Sequence, residues 1–395
     1  MNNGAISQAL NRRVLVPVAN PVGGIRTYMI YNLKCIHDAG FRLTFFSPKG
    51  DALDQFKRDI AGWDGTEFIE APSHSLYLLL QSLRHVLRSK TFSLIHSQGL
   101  QIGTITAAAD FFRRIPHLIT LHDVIIPGQN DFGKWGWLKQ KAAAFVTRRA
   151  SCIIPVSRDC EENHYAYFPS WKQGPVQVKP ILNGIDVNRI QQTRSVFASD
   201  RQPNLRKLLG IGNEIVLGGF FGRFMPQKGF DIVLQALAIL AEQGYSSRFH
   251  LMATVDNTGY RSETLQAAAA NPKVAAMVHF LDAVPNITPF LLQTDAVIMP
   301  SRWEACPLLP MEAMAAGTPV IGSDCIGLRE VLRETPSLVF PAGNAEELAK
   351  KIVVLIENTP AIKATAEQFA ATAAERFDVK TAAGQLLDIY KSVLI

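Results

Sequence analysis

Long apolar runs, paired cysteines and regular metal-ligand spacings are all missing from this 395-residue sequence. No apolar stretch approaches the roughly 18–20 residues that span a bilayer, so no membrane-crossing helix is expected. The opening MNNGAISQALNRRVLVPVAN lacks the basic, apolar and small-residue order of a signal peptide. Five cysteines, Cys35, Cys152, Cys160, Cys306 and Cys325, are odd in number, scattered and without a Cys-x-x-Cys pair. They read as reduced thiols of a cytoplasmic protein, neither a disulfide framework nor a zinc site. The dinucleotide fingerprint Gly-x-Gly-x-x-Gly is absent, which argues against a dehydrogenase. Zinc-finger spacing, an RNA-binding aromatic signature and long basic runs are absent too, so no nucleic-acid partner is expected.

What is present is a globular composition, 48% hydrophobic and 19% charged, with a net charge of +6 that favours an anionic partner. The length suits two domains of roughly 150–200 residues. Short β-rich runs alternate with longer helical ones. The first half reads as strands over Arg13–Ala19, Phe41–Ser47, Phe92–His96, His117–Leu121, Cys152–Val156 and Gln177–Leu182. Helices are expected between them at Ile25–Ala39, Ser75–Ser89, Ile102–Phe112 and Trp135–Ala150. Between Ile190 and Leu209 the rhythm lapses into a polar stretch, read as a linker. Alternation then restarts, with strands at Glu214–Phe221, His250–Ala253, Val278–Leu281, Ala296–Pro300, Thr318–Gly322 and Leu338–Phe340. The final stretch, Lys380–Leu394, carries one apolar helical stripe. The pattern predicts two doubly wound α/β domains facing across a cleft, with ligands at the carboxyl ends of the strands.

Three places after strands carry the chemistry. Gly23-Gly24 follows the first strand and opens a helix, where backbone N–H groups approach an anion. Gly222-Arg223 follows Phe220-Phe221, and Lys228-Gly229 opens the next helix. A planar donor fork with a point charge suits a diphosphate. The third is the run from Pro300 through Glu304, Ala305-Cys306-Pro307, Leu308, Leu309, Pro310 and Glu312 to Gly317-Thr318-Pro319. Pro310 suits a first helical position, which places Glu312 in the first turn and Glu304 on the preceding loop. Carboxylates there can accept two sugar hydroxyls, and the N–H groups of Leu308 and Leu309 can hold a phosphate.

In these landmarks, together with Leu121-His122-Asp123 and Asn183-Gly184-Ile185-Asp186, the chain resembles the retaining glycosyltransferases of family 4, which have the GT-B fold. The resemblance covers nearly the whole chain. It implies an N-terminal acceptor-side domain over 1–190 completed by a crossing helix at 377–395, and a nucleotide-sugar domain over 191–376. By that likeness Arg223 and Lys228 would hold the donor diphosphate, Glu312 the ribose, and Glu304 the donor sugar. His122 would line the cleft near the reacting sugar, and Gly23 and Gly24 would approach the diphosphate or acceptor. The implied reaction moves a hexose-type sugar, with UDP ahead of GDP or ADP, to a glycan or lipid-linked glycan in envelope polysaccharide or lipopolysaccharide assembly. A nucleotide-sugar epimerase and a non-catalytic nucleotide-sugar-binding protein are the alternatives. No Asp-x-Asp spacing occurs, so neither metal nor other cofactor is expected. Trp and Lys alternate through Phe132–Lys141, and Arg148-Arg149 follow; this suggests peripheral contact with an anionic membrane at its inner face.

Overall fold

The computed structural model describes residues 12–128, 136–197, 204–255, 260–282, 284 and 286–394. It divides into two compact units, 1–184 with 379–395, and 185–378.

The first unit is a seven-stranded parallel sheet in the order β3-β2-β1-β4-β5-β6-β7. Its strands are β1 (Arg13–Pro17), β2 (Arg42–Pro48), β3 (Glu67–Ala71), β4 (Leu94–Gln98), β5 (His117–Leu121), β6 (Cys152–Pro155) and β7 (Gln177–Val178). Val14, Leu15 and Val16 of β1 are fully buried, as expected of a central strand covered by helices on both faces. Four helices matter below: α1 (Gly23–Asp38), α2 (Leu76–Ser89), α3 (Leu100–Ala109) and α4 (Gly136–Thr147). The α2 helix turns Leu79, Leu83, Val86 and Leu87 into the core, a spacing of one helical face. Phe132 to Trp135 lie outside the described residues.

The second unit is a six-stranded parallel sheet in the order β10-β9-β8-β11-β12-β13. Its strands are β8 (Val216–Phe221), β9 (Phe249–Val255), β10 (Val278–Asp282), β11 (Ala296–Met299), β12 (Val320–Ser323) and β13 (Leu338–Phe340). The helices used below are α5 (Val187–Phe197), α6 (Phe230–Glu242), α7 (Leu309–Ala315) and α8 (Ala345–Arg376). The α6 helix fills the core with Phe230, Val233, Ala236, Leu237 and Leu240. The long α8 bends where Asn358 leaves helical geometry, two residues before Pro360. Last comes α9 (Val379–Val393), which packs on α1 and buries Leu386 and Tyr390 in the first unit.

The segment read as a linker is partly helical. Its first half is helix α5, which buries Val187 and Ile190 and packs on α7. Two apolar anchors in an otherwise polar segment suffice to dock one helical face, and the two compact units divide at 184–185. The chain also enters and leaves the second unit at one place, where Ile185 N–H donates to Phe377 O at 2.8 Å.

Both sheets reverse strand order beside their first strand, between β1 and β4 and between β8 and β11. Such a reversal splays the connecting loops apart and leaves a crevice at the carboxyl ends of the strands.

Candidate active site

In the second unit the crevice is flanked by the turn after β8 and the loop after β11. Lys228 projects from the first and Glu304 from the second, and Lys228 Nζ lies 2.6 Å from Glu304 Oε1. The Ser301 hydroxyl donates to the same oxygen at 2.7 Å. Glu304 is 6% exposed, so its carboxylate is held by a cation and a hydroxyl where water hardly reaches. Both contacts use Oε1, which leaves Oε2 for an incoming hydroxyl.

The two loops are fastened to each other. Arg302 forms a fork on Asp231, with contacts of 2.8 and 2.6 Å, and reaches Pro226 O at 2.7 Å. That guanidinium holds the Asp231 carboxyl below its ordinary range. Arg302 N–H donates to Gln227 O at 2.8 Å, and the Gln227 amide returns a bond to Trp303 O at 3.0 Å. Two glycines bring backbone against backbone. A Cβ on Gly229 (φ +68°) would stand 2.1 Å from Pro300 O, and one on Gly327 (φ +77°) would stand 2.2 Å from Glu304 O. Only glycine fits such positions without displacing the loop.

Arg223 is exposed just past the end of β8, and its guanidinium makes no ion pair or hydrogen bond among the described residues. It is a cation free to meet a ligand. Glu312 lies in the first turn of α7, with Leu308 as the residue before the helix and Leu309 as its first. Its carboxyl is pushed up to about 7 by burial, with Arg189 of α5 opposing the shift. The structure thus brings Lys228 and Glu304 into contact, while Arg223 and Glu312 stand on the same two connections without touching them.

In the first unit, Gly23 (φ +53°) and Gly24 open α1, and nothing lies within 4 Å of where either Cβ would be. The backbone there is bare. His122 follows β5, with its ring edge-on to Tyr28 at 4.7 Å between centroids. Burial lowers its pKa to about 3, so the ring is neutral. Its tautomer is set by Gln98 at the end of β4. The Gln98 amide N–H donates to His96 O at 3.4 Å, which turns Oε1 toward His122 Nε2 at 2.9 Å. Nε2 therefore carries the proton and Nδ1 offers a lone pair. Behind this pair runs a buried polar chain: Tyr390 hydroxyl to His96 Nδ1 at 2.8 Å, then His96 Nε2 to the Thr120 hydroxyl at 2.7 Å.

Ser301, Arg302, Gly327, Arg189 and Gln98 were not singled out in the sequence. Arg302, Gly327, Arg189 and Gln98 act through partners distant along the chain, so no local spacing marks them, and a serine three residues before Glu304 carries no signal of its own. Among the described residues, no three His, Cys, Asp or Glu side chains gather as a metal site.

Two family descriptions match the chain: "Glycosyltransferase Family 4" over residues 22–189 and "Glycosyl transferases group 1" over residues 216–358. The chain belongs to the GT-B glycosyltransferases of the family 4 type. It is therefore a transferase enzyme.

Among curated relatives of this family is the lipopolysaccharide core biosynthesis mannosyltransferase LpsB of Rhizobium meliloti (strain 1021). It is 25% identical over 66% of this chain and 69% of its own length. The O-antigen biosynthesis glycosyltransferase WclY of Escherichia coli is 24% identical over 77% of this chain and 80% of its own. The chain spans about half the length of Streptomyces D-inositol 3-phosphate glycosyltransferases that it also matches. Among solved structures, Anabaena HepE in complex with UDP superposes with a TM-score of 0.77 at 22% identity, over 96% of this chain and 100% of that one. No helix among the described residues is long and apolar enough to cross a membrane.

Proposed function

We propose that this glycosyltransferase moves a hexose-type sugar from a nucleoside diphosphate sugar, with UDP preferred, to a hydroxyl of a glycan or lipid-linked glycan. The setting is cell-envelope polysaccharide or lipopolysaccharide assembly at the inner face of the cytoplasmic membrane. The observation that carries the reading is the Lys228–Glu304 pair at the strand-order reversal of the second sheet. A diphosphate needs cations, and Lys228 with the unpaired Arg223 supplies two on adjoining turns. A sugar needs acceptors, and Glu304 Oε2 supplies one in a dry setting. Glu312 lies within the same strand–loop–helix segment as Glu304 and suits ribose hydroxyls. HepE, which shares the fold, was solved with UDP and with UDP-glucose, and the named relatives act in lipopolysaccharide core and O-antigen biosynthesis.

In this account, Lys228 and Arg223 stabilise negative charge as it grows on the departing diphosphate, with no divalent ion required. The phosphate oxygen takes the proton of the acceptor hydroxyl as that hydroxyl attacks from the same face, so the anomeric configuration is kept. His122, neutral and with a bare Nδ1, accepts a hydrogen bond from the sugar and does not act as the base. The experiment is transfer from UDP-sugars to a panel of glycan and glycolipid acceptors, with product configuration read by NMR. Retained configuration and full activity in chelator support the account. An inverted product, or activity abolished by chelator and restored by magnesium, contradicts it.

A further inference from the structure

Helix α4 is inside out by the usual standard. Its buried positions are Ala143 and Thr147, whereas its bulky apolar side chains face solvent. Trp137 is 60% exposed, Leu138 50% and Phe145 47%. A helix packed for water alone does the reverse. Phe112, in the turn after α3, is 92% exposed. Its ring stands 5.3 Å from that of Phe111, which stacks on Phe145 at 5.9 Å. The exposed rings therefore extend from α4 onto the neighbouring turn.

Three of the four rings carry a cation. Lys141 Nζ lies 5.2 Å from the Trp137 ring, Arg148 Cζ 4.1 Å from Phe145, and Arg149 Cζ 4.0 Å from Phe111. Positions 137, 141 and 145 fall on one helical stripe, and Arg148 and Arg149 follow directly after the helix. Arg113 and Arg114 are exposed beside Phe112. No Asp or Glu occurs over 111–116 or 136–150, so these two segments carry charge of one sign.

We propose that this face docks on an anionic lipid bilayer. Rings with an apolar body belong at the headgroup boundary, and the cations beside them meet lipid phosphates, each worth about 1 kcal/mol or roughly fivefold in binding. A folded protein partner with acidic groups would satisfy the charges, but it would have to cover an almost fully exposed Phe112. A bilayer does so by letting the ring sink in. The proposal names a surface for the membrane-side placement of the enzyme, and its test reads lipid binding rather than transfer, so either reading can fail alone.

The test is co-sedimentation of the full chain with vesicles of phosphatidylglycerol and phosphatidylcholine, compared with phosphatidylcholine alone. Wild type is expected to pellet with the anionic vesicles only. Lys141→Glu with Arg148→Glu should lower the partition at least about thirtyfold, and Phe112→Ser with Trp137→Ser about tenfold. A charge-matched control, Lys207→Glu with Lys273→Glu on the second unit, should bind as wild type does. Unchanged melting temperatures establish that these exposed positions leave the fold intact. The proposal is overturned if wild type ignores anionic vesicles, if the control loses as much binding as the patch variants, or if those variants dissolve a dimer in ultracentrifugation while lipid binding stays absent.

Discussion

Lys228 and Glu304 stand 76 residues apart in the chain and 2.6 Å apart in space, joining the turn after β8 to the loop after β11. On the proposed function the pair divides two tasks, and substitution should separate them. Glu304→Gln keeps a side chain of the same shape but removes the charge that strengthens a sugar hydrogen bond. It should lower kcat/KM for the nucleotide sugar about ten- to a hundredfold while leaving UDP affinity near wild type. Lys228→Ala should weaken both. Calorimetric titration with UDP, alongside kinetics with the sugar donor, reads the difference; equal losses of UDP affinity in the two variants would count against the division.

Gly327 supports Glu304 from behind through backbone contact alone. Gly327→Ala forces a Cβ to within 2.2 Å of Glu304 O at a φ of +77°. We expect a stability loss of about 1–3 kcal/mol by denaturant titration. The drop in donor turnover should exceed what that loss explains, because the loop must move. Wild-type turnover in a folded Gly327→Ala would show that the close approach does not position the site.

The tautomer of His122 rests on Gln98. Wild type should show the Nε2–H form by long-range proton–nitrogen NMR, with no titration of His122 from pH 5 to 8. Gln98→Glu sets a carboxylate against Nε2 and should raise the His122 pKa, bringing a new inflection into the pH–rate profile. Gln98→Leu should loosen the tautomer without that inflection. A wild-type His122 titrating near 6.5 would refute the assignment.

Glu312 carries a pH signature. Its folded pKa of about 7 lies above the ordinary value of 4.5, so the folded state holds a proton that the unfolded state releases. Stability from this group is therefore full below pH 4.5 and declines as pH rises through 7. Denaturant titrations at pH 5 and 8 should show this decline in wild type relative to Glu312→Gln. If ribose hydroxyls need the charged carboxylate, nucleotide binding near pH 6 also releases a proton. The observed heat should then vary with the ionisation enthalpy of the buffer. Buffer-independent heat in wild type would remove Glu312 from the nucleotide.

The alternation of strand and helix was legible because parallel strands buried on both faces are continuous apolar runs, as in Val14-Leu15-Val16. The edge strand β3 was not, since Glu67 and Glu70 interrupt it and only Ala71 is fully buried. Helix α5 passed for a linker because a short helix can dock on two residues. Within the site, Lys228 and Glu304 could be read from the glycines and prolines around them, which mark where strands end and helices begin. The Arg302–Asp231 fork could not, because its meaning arises only when the two loops meet, nor could Gly327, which approaches Glu304 from the connection after β12. Gln98 is a further case: a glutamine ending a strand carries no signal until β4 and β5 lie side by side.

The claim on which the rest depends is that Arg223 and Lys228 together hold a diphosphate. Its most direct measurement is calorimetric titration of wild type and Arg223→Ala/Lys228→Ala with UDP and with uridine. The account predicts a loss of about a hundredfold or more in UDP affinity, with uridine binding unchanged, since two charge-assisted contacts vanish while the nucleoside contacts remain. A double variant that binds UDP as tightly as wild type would contradict it.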